Sequence, residues 1–150
     1  MDQKDRRVLM ALQMDGRASN ASLAKLLGMA EAPTWRRLRA LETSGVVCKY
    51  TAILDRQKLG YEVMAFVSIR FATHQPDVQQ AFENEVVKIP QVVWCHNVSG
   101  STDFLLCAVA RNLSEYGEFV SSKLRSLPGV SSIESSFSLK PVKEGLQLPL

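Results

Sequence analysis

"SNASLAKLLGMAEAPTWRRLRAL" spans Ser19 to Leu41, and its reading decides the fold of the first third of the chain. Ser19 suits a helix N-cap, Leu23, Ala24 and Leu27 form an apolar stripe, and Gly28 suits the left-handed position just past the helix. Ser22 stands where a full capping box wants Glu or Gln. After "GMA", Thr34, Leu38 and Leu41 fall at i, i+4 and i+7, which predicts a further helix with one buried face, closed by Gly45. Upstream, Val8, Leu9 and Leu12 recur at helical spacing in "DQKDRRVLMALQM", and "DGR" at 15–17 ends that helix. Three short helices, the last two joined by a tight turn containing Gly, make a helix-turn-helix arrangement.

In that arrangement the last helix enters the major groove with its N-terminal residues against the bases. With Thr34, Leu38 and Leu41 inward, Trp35, Arg36 and Arg39 point outward and Arg37 lies at the flank. Arginine supplies both bidentate guanine contacts and phosphate neutralisation. The candidate DNA-binding set is therefore Pro33, Thr34, Trp35, Arg36, Arg37 and Arg39. Pro33 is tolerated because a first-turn N–H has no intrahelical partner to lose. Ala30 falls at the N-cap, where a hydroxyl is expected to do better by roughly 1 kcal/mol, and Glu31 offsets part of that through the helix dipole. A plainer reading stays open here: a helical hairpin with a solvated basic face. Trp35 stacks on a sugar or a thymine methyl, or packs against the preceding helix.

Charge supports an anion-binding first part. Residues 1–60 carry 11 Lys/Arg against 6 Asp/Glu, whereas the rest carries 7 against 9, within a chain of net charge +3. At 150 residues, 46% hydrophobic and 22% charged, the chain suffices for one ordinary domain or two very small ones. No run of 18 apolar residues exists, and the N-terminus lacks a charged-then-apolar leader layout, so a cytoplasmic location is expected. Cys48, Cys95 and Cys107 are odd in number and show no C-x-x-C spacing, which argues against a disulfide framework or a zinc site. They read as reduced thiols, with Cys95 and Cys107 mostly buried.

Beyond the helices, "VVCKYTAILD" (46–55) alternates as a strand, and "RQKLGYE" (56–62) is a polar connection. The period then changes. Strands are expected at 63–71, 92–98, 103–110 and 129–139, with helices at 76–89 and 114–127, the second capped by Ser114. The order βαββαβ is the split, ferredoxin-like arrangement. The fold class expected is α+β: a winged helix-turn-helix domain (1–50), a linker strand or hinge (51–62), and a ferredoxin-like βαββαβ sandwich (63–150).

"VSGSTDF" (98–104) is the second candidate site. Its turn amides and Asp103 suit an amino-acid zwitterion, the carboxylate on backbone N–H groups and the ammonium on Asp103. The competing reading is a plain hairpin in which Asp103 satisfies turn amides. His96, Ser99 and Asp103 lie within eight residues on one strand and turn with no oxyanion motif, so nucleophilic catalysis is rejected. Glu83 and Glu85 are two apart on a helix and do not converge. No catalytic residue, metal site or cofactor is expected, and Trp94 reads as core or interface.

Taken together, "DRRVLMALQMDGR", "SLAKLLGM", "WRRLRALETSGVV", "YTAILDRQKLGY", "VSGSTDFLL" and "LRSLPGV" resemble the Lrp/AsnC family of feast/famine transcription regulators in order and spacing. The resemblance covers nearly the whole chain. It implies a DNA-reading N-terminal domain and a C-terminal sandwich that pairs subunits and senses small molecules, usually amino acids. Arg37 and Leu41 match the family's most recurrent recognition-helix positions, whereas Ala30 replaces its usual Ser or Thr cap and Trp35 occupies a variable position. It also implies an effector pocket built from the Gly-x-x-Asp loop and the last strand of a facing subunit: Asn97, Ser99, Gly100, Asp103, Ser135, Ser136 and Ser138. The serine-rich last strand suggests a roomier or more polar pocket than relatives with larger residues there. Partners implied are double-stranded DNA with a near-palindromic operator, an amino-acid effector, and further copies of the chain, commonly rings of dimers such as octamers.

Two alternatives share parts of this reading. Sirohaem decarboxylases resemble the same two-domain chain, but carry a histidine- and arginine-rich segment before a strand resembling "PYNLWF"; here the region reads "HNVSGSTDFLL". A largely structural DNA-wrapping protein would bind many sequences with little response to ligand.

Overall fold

The computed structural model describes residues 1–145 and 147–150. They form two compact units: residues 1–54 with 143–150, and residues 55–142. In the first unit, α1 (Gln3–Met14), α2 (Asn20–Leu27) and α3 (Glu31–Thr43) enclose Val8, Leu9, Ala11, Leu23, Leu27 and Leu41. Each helix starts for a local reason. Asp2 caps α1 in a reciprocal box with Asp5, the Asp5 amide donating to Asp2 Oδ1 at 2.8 Å and the Asp2 amide to Asp5 Oδ2 at 2.7 Å. Ser19 caps α2 by accepting from the Ser22 amide, and Gly28, at φ 64°, ends it with the Met29 amide donating to Ala24 O.

The α3 start corrects one expectation. Ala30 is indeed the N-cap and makes no side-chain cap bond. Counting from Glu31, Pro33 is the third helical residue, so one of the two amides that a capping hydroxyl would bond has no hydrogen. A Ser or Thr at position 30 is left with the Ala32 amide alone, and the penalty for Ala is smaller than the sequence reading assigned.

A wing was expected after α3, and "VVCKYTAILD" was expected to be a strand. Among the described residues no strand forms between α3 and residue 63. An extended segment becomes a strand only when its N–H and C=O groups meet a partner edge, and the described residues of this unit contain no other strand. The connection at 56–62 is a tight turn, with Asp55 accepting from the amides of Gln57 and Lys58 and Arg56 holding the carbonyls of Tyr61 and Glu62.

The described residues of 143–150 cluster with the helices. The Leu148 amide donates to Gln13 Oε1 at 2.6 Å, Gln13 Nε2 donates to Leu148 O at 3.1 Å, and Leu150 packs against the helical core.

The second unit is the ferredoxin-like sandwich. Strands β1 (Val63–Phe71), β2 (Val92–Asn97), β3 (Phe104–Ala110) and β4 (Val130–Phe137) form one antiparallel sheet in the order β2-β3-β1-β4. Helices α4 (Pro76–Val86) and α5 (Leu113–Ser122) supply Phe82, Val86, Tyr116 and Phe119 to the core against Ala65, Val67, Ile69 and Phe71 of β1 and Phe104, Leu106 and Ala108 of β3. Three helix bounds differ from expectation: α4 ends at Val86 rather than 89, and both ends of α5 move. The N-cap of α5 is Asn112, not Ser114, with Asn112 Oδ1 accepting from the Glu115 amide at 2.8 Å. The helix also stops early, at Ser122, and the chain passes through a 3-10 turn, Leu124–Ser126, before Leu127, which precedes Pro128, takes extended backbone.

Candidate functional sites

The first half of α3 sorts its side chains cleanly. Thr34 is fully buried and its hydroxyl donates to Ala30 O at 2.9 Å. Placed in the candidate DNA-binding set, it has no surface to offer; it is a core residue, as its spacing with Leu38 and Leu41 requires. Trp35 is 51% exposed, so it does not pack under the preceding helix, and the Arg39 guanidinium lies 5.8 Å from its ring centroid in a cation–π pair. Arg36 is exposed beside them, and Pro33 is half-buried. Arg39 also reaches Glu42 at 3.2 Å, and Glu42 accepts from the Tyr50 hydroxyl at 2.9 Å. Burial first, with the Glu42 carboxylate adding to it, pushes the Tyr50 phenol up.

Arg37 stands apart. Its Nη1 donates to Asp2 Oδ2 and to Asp5 Oδ1, both at 2.7 Å, and only 28% of its side chain is exposed. The Asp5 amide foremost, with Arg37 beside it, holds the Asp2 carboxyl below the usual carboxylate range. Sequence reasoning missed both acids. The signal was available in "DQKD", which places a capping residue and its reciprocal acid three apart at the start of α1. A shallow hollow beside this cluster is lined by Asp5, Pro33, Arg36, Arg37 and Ala40.

In the sandwich, the 98–103 turn joins β2 to β3 at the end of β1 where Ile69–Phe71 lie. The Asp103 amide donates to Ile69 O at 2.9 Å, its Oδ2 accepts from the Phe71 amide at 2.7 Å, and its Oδ1 lies 3.4 Å from His74 Nδ1. Thr102 Oγ1 donates to Ile69 O at 2.7 Å. Gly100, at φ 122°, holds a conformation few side chains tolerate. Asp103 therefore settles an amide of β1 rather than one of its own turn, and its other carboxylate oxygen faces His74.

The serines of β4 lie elsewhere. Ser136 pairs with Phe66, while Ile69 is level with Phe104. Three residues of strand, about 10 Å, separate those levels along β1. Ser135 faces α5 and bonds the Tyr116 hydroxyl at 2.6 Å, while Ser136 lies on the opposite face with Phe66. The Ser138 amide donates to Met64 O at 2.9 Å. One copy of the chain thus brings Asn97, Ser99, Gly100 and Asp103 together at one end and leaves Ser136 and Ser138 well down the sheet.

The remaining candidates fall into structural roles. On the sheet face away from the helices, Phe66, Trp94 and His96 stack in sequence, with ring centroids 6.1 Å and 5.3 Å apart. Cys107 is buried, and Cys95, half-buried, has its thiol pushed up to about 11 by burial and by the Glu83 charge. Cys48 is exposed.

Comparison with known proteins agrees with both halves. Residues 1–42 match the AsnC-type helix-turn-helix domain and residues 64–148 the Lrp/AsnC ligand binding domain. The Bkd operon transcriptional regulator of Pseudomonas aeruginosa is 37% identical over 142 residues, covering 95% of this chain and 93% of its own. The leucine-responsive regulatory protein of Escherichia coli K12 is 35% identical over 148 residues, 99% of this chain and 90% of its own. A crystal structure of a transcriptional regulator from Neisseria meningitidis in complex with L-methionine superposes with a TM-score of 0.95 at 33% identity, over 99% of this chain and 96% of that one. These relatives are regulators, which does not favour the tetrapyrrole enzyme. Among the described residues no helix is long and apolar enough to cross a membrane.

Proposed function

Because the chain belongs to the Lrp/AsnC family of transcription regulators, we propose that α3 reads duplex DNA through Trp35, Arg36 and Arg39, with Pro33 at the edge, and that an amino acid binds between two copies of the chain. The observation that carries the DNA reading is the exposed trio on the first half of α3, the helix that follows a three-residue turn. Arg36 and Arg39 are placed to neutralise phosphates or fork onto guanine, and the Trp35 ring offers an apolar face to a sugar or thymine methyl. Pairing of copies about a two-fold axis presents two such helices and calls for a near-palindromic operator. Dimers, and rings of dimers up to octamers, are the assemblies this reading expects.

For the effector, the loop amides near Ser99 and Gly100 take the carboxylate and Asp103 takes the ammonium. Asn97 borders the loop, and the separation of that loop from Ser136 and Ser138 within one copy supports a pocket completed by a second copy's β4. Ser135, bonded to Tyr116, serves as support under that strand rather than as a ligand. The N. meningitidis relative holds L-methionine, which makes L-methionine and L-leucine the first compounds to try.

The test is thermal unfolding against the twenty amino acids, with Asp103→Ala alongside. Binding to the folded state alone stabilises by about 2.7 kcal/mol at a hundred times the dissociation constant. Stabilisation of the wild type and not of the variant supports the loop. Equal stabilisation of both, or of neither, removes it. In parallel, enrichment from a random duplex library is expected to return an inverted repeat, and sequences without any common motif would replace specific reading with DNA wrapping.

A further inference from the structure

Resting on the reading of α3 as the DNA-contacting helix, we infer that Arg37 is a positioning residue: the carboxylates of Asp2 and Asp5 hold it as a clasp that sets the first half of α3 against the start of α1, and the charges that meet DNA come from its neighbours.

Three observations carry this. First, one guanidinium nitrogen serves both acids at 2.7 Å, a charge-assisted geometry across 32 and 35 residues of sequence. Second, those acids are not free side chains. Each is already fixed by the capping box of α1, so Arg37 is tied to the backbone of that helix through them. The hydrogen bonds Arg37 donates to Asp5 and then Asp2 also push its guanidinium further up. Third, Arg37 differs from its exposed neighbours Arg36 and Arg39: most of its side chain is covered, and its single positive charge faces two negative ones. Such a cluster is net anionic and does not attract phosphate.

The clasp makes a prediction opposite to that of charge counting. Asp2→Asn with Asp5→Asn removes two negative charges from a DNA-binding unit, which by electrostatics alone strengthens binding. Asparagine still caps a helix and still offers a side-chain oxygen, so the local bonds of α1 persist. If Arg37 positions α3, this double variant instead weakens binding to the duplex enriched above by roughly tenfold, the scale of coupling within an ion-paired network.

The experiment measures affinity for that duplex, and for a mixed-sequence duplex of the same length, as a function of salt. Wild type, Arg36→Ala, Arg37→Ala, Arg37→Lys and the double Asn variant are compared, each checked for helicity by circular dichroism. Loss of a phosphate contact lowers the salt slope by about one. Arg36→Ala is expected to lower it; Arg37→Ala is expected to weaken specific binding with the slope unchanged, and Arg37→Lys, which keeps an ammonium for the acids, to recover part of it. The inference is overturned if Arg37→Ala lowers the slope as Arg36→Ala does, or if the double Asn variant binds the enriched duplex more tightly. Wild type with no salt-dependent binding to either duplex would remove the DNA reading itself, a separate outcome.

Discussion

In the sandwich, Phe82 and Phe104 meet with ring centroids 4.5 Å apart and Phe71 closes on both, so the core is an aromatic cluster sealed by two helices. In the helical unit the buried side chains are aliphatic apart from Thr34, and the edges are held by polar contacts: Arg37 on Asp2 and Asp5, Arg7 Nη2 on Leu27 O at 3.0 Å, Asn20 Nδ2 on Glu31 O at 3.1 Å, and the Gln13–Leu148 pair. A unit this small buries too little apolar surface to rely on packing alone. The difference teaches where each unit is vulnerable. The sandwich is sensitive to volume, and the helical unit to caps and charge.

The largest expected effect breaks the sandwich. Phe104→Ala removes a ring from the centre of the cluster and should cost about 3–5 kcal/mol, read as a lowered urea midpoint. A smaller loss, on the order of 1–3 kcal/mol, is expected for Gly129→Ala. Its φ of 78° is left-handed, and an added Cβ would stand 2.5 Å from Val78 Cγ1 and 3.2 Å from Phe71. An unchanged midpoint there would show that the Val78 side of the core yields easily.

In the helical unit, the two N-caps can be played against each other. Ser19→Ala should cost about 1 kcal/mol, whereas Ala30→Ser should gain no more than a few tenths, because Pro33 has no amide to give. Equal and opposite effects at the two positions would sink that explanation. The smallest effect is acid sensitivity. The Asp2 carboxyl is held below its ordinary value of 3.8, so its contribution is complete above that value and is lost as the pH falls through the lower, folded one. Helical content followed from about pH 5 to about pH 2 should fall earlier in wild type than in Asp2→Asn, which has no such group to protonate.

What was legible in the sequence was what local pattern encodes. Ser19 and Gly28 bound α2 as read, and the alternation of Ala65, Val67, Ile69 and Phe71 marks a strand covered on one side. The serines of β4 were visible as a group, but not that a hydrogen bond commits Ser135 to Tyr116 while Ser136 faces the other way. The bonds of Arg37 to Asp2 and Asp5 were not visible, because those partners lie more than thirty residues away and the spacing around Arg37 carries no signal at that range. The strand expected at 46–55 fails for a related reason: alternation describes a chain able to pair, and pairing needs an edge that the described residues of this unit do not supply.

The return of residues 147–150 to α1 has a consequence for how the molecule is made. A ribosome releases the three helices before the sandwich, and residues 147–150 after every strand of it. The Gln13–Leu148 pair and the packing of Leu150 can therefore form only after every strand of the sandwich has been made, so the last contacts of the helical unit come later than its own helices.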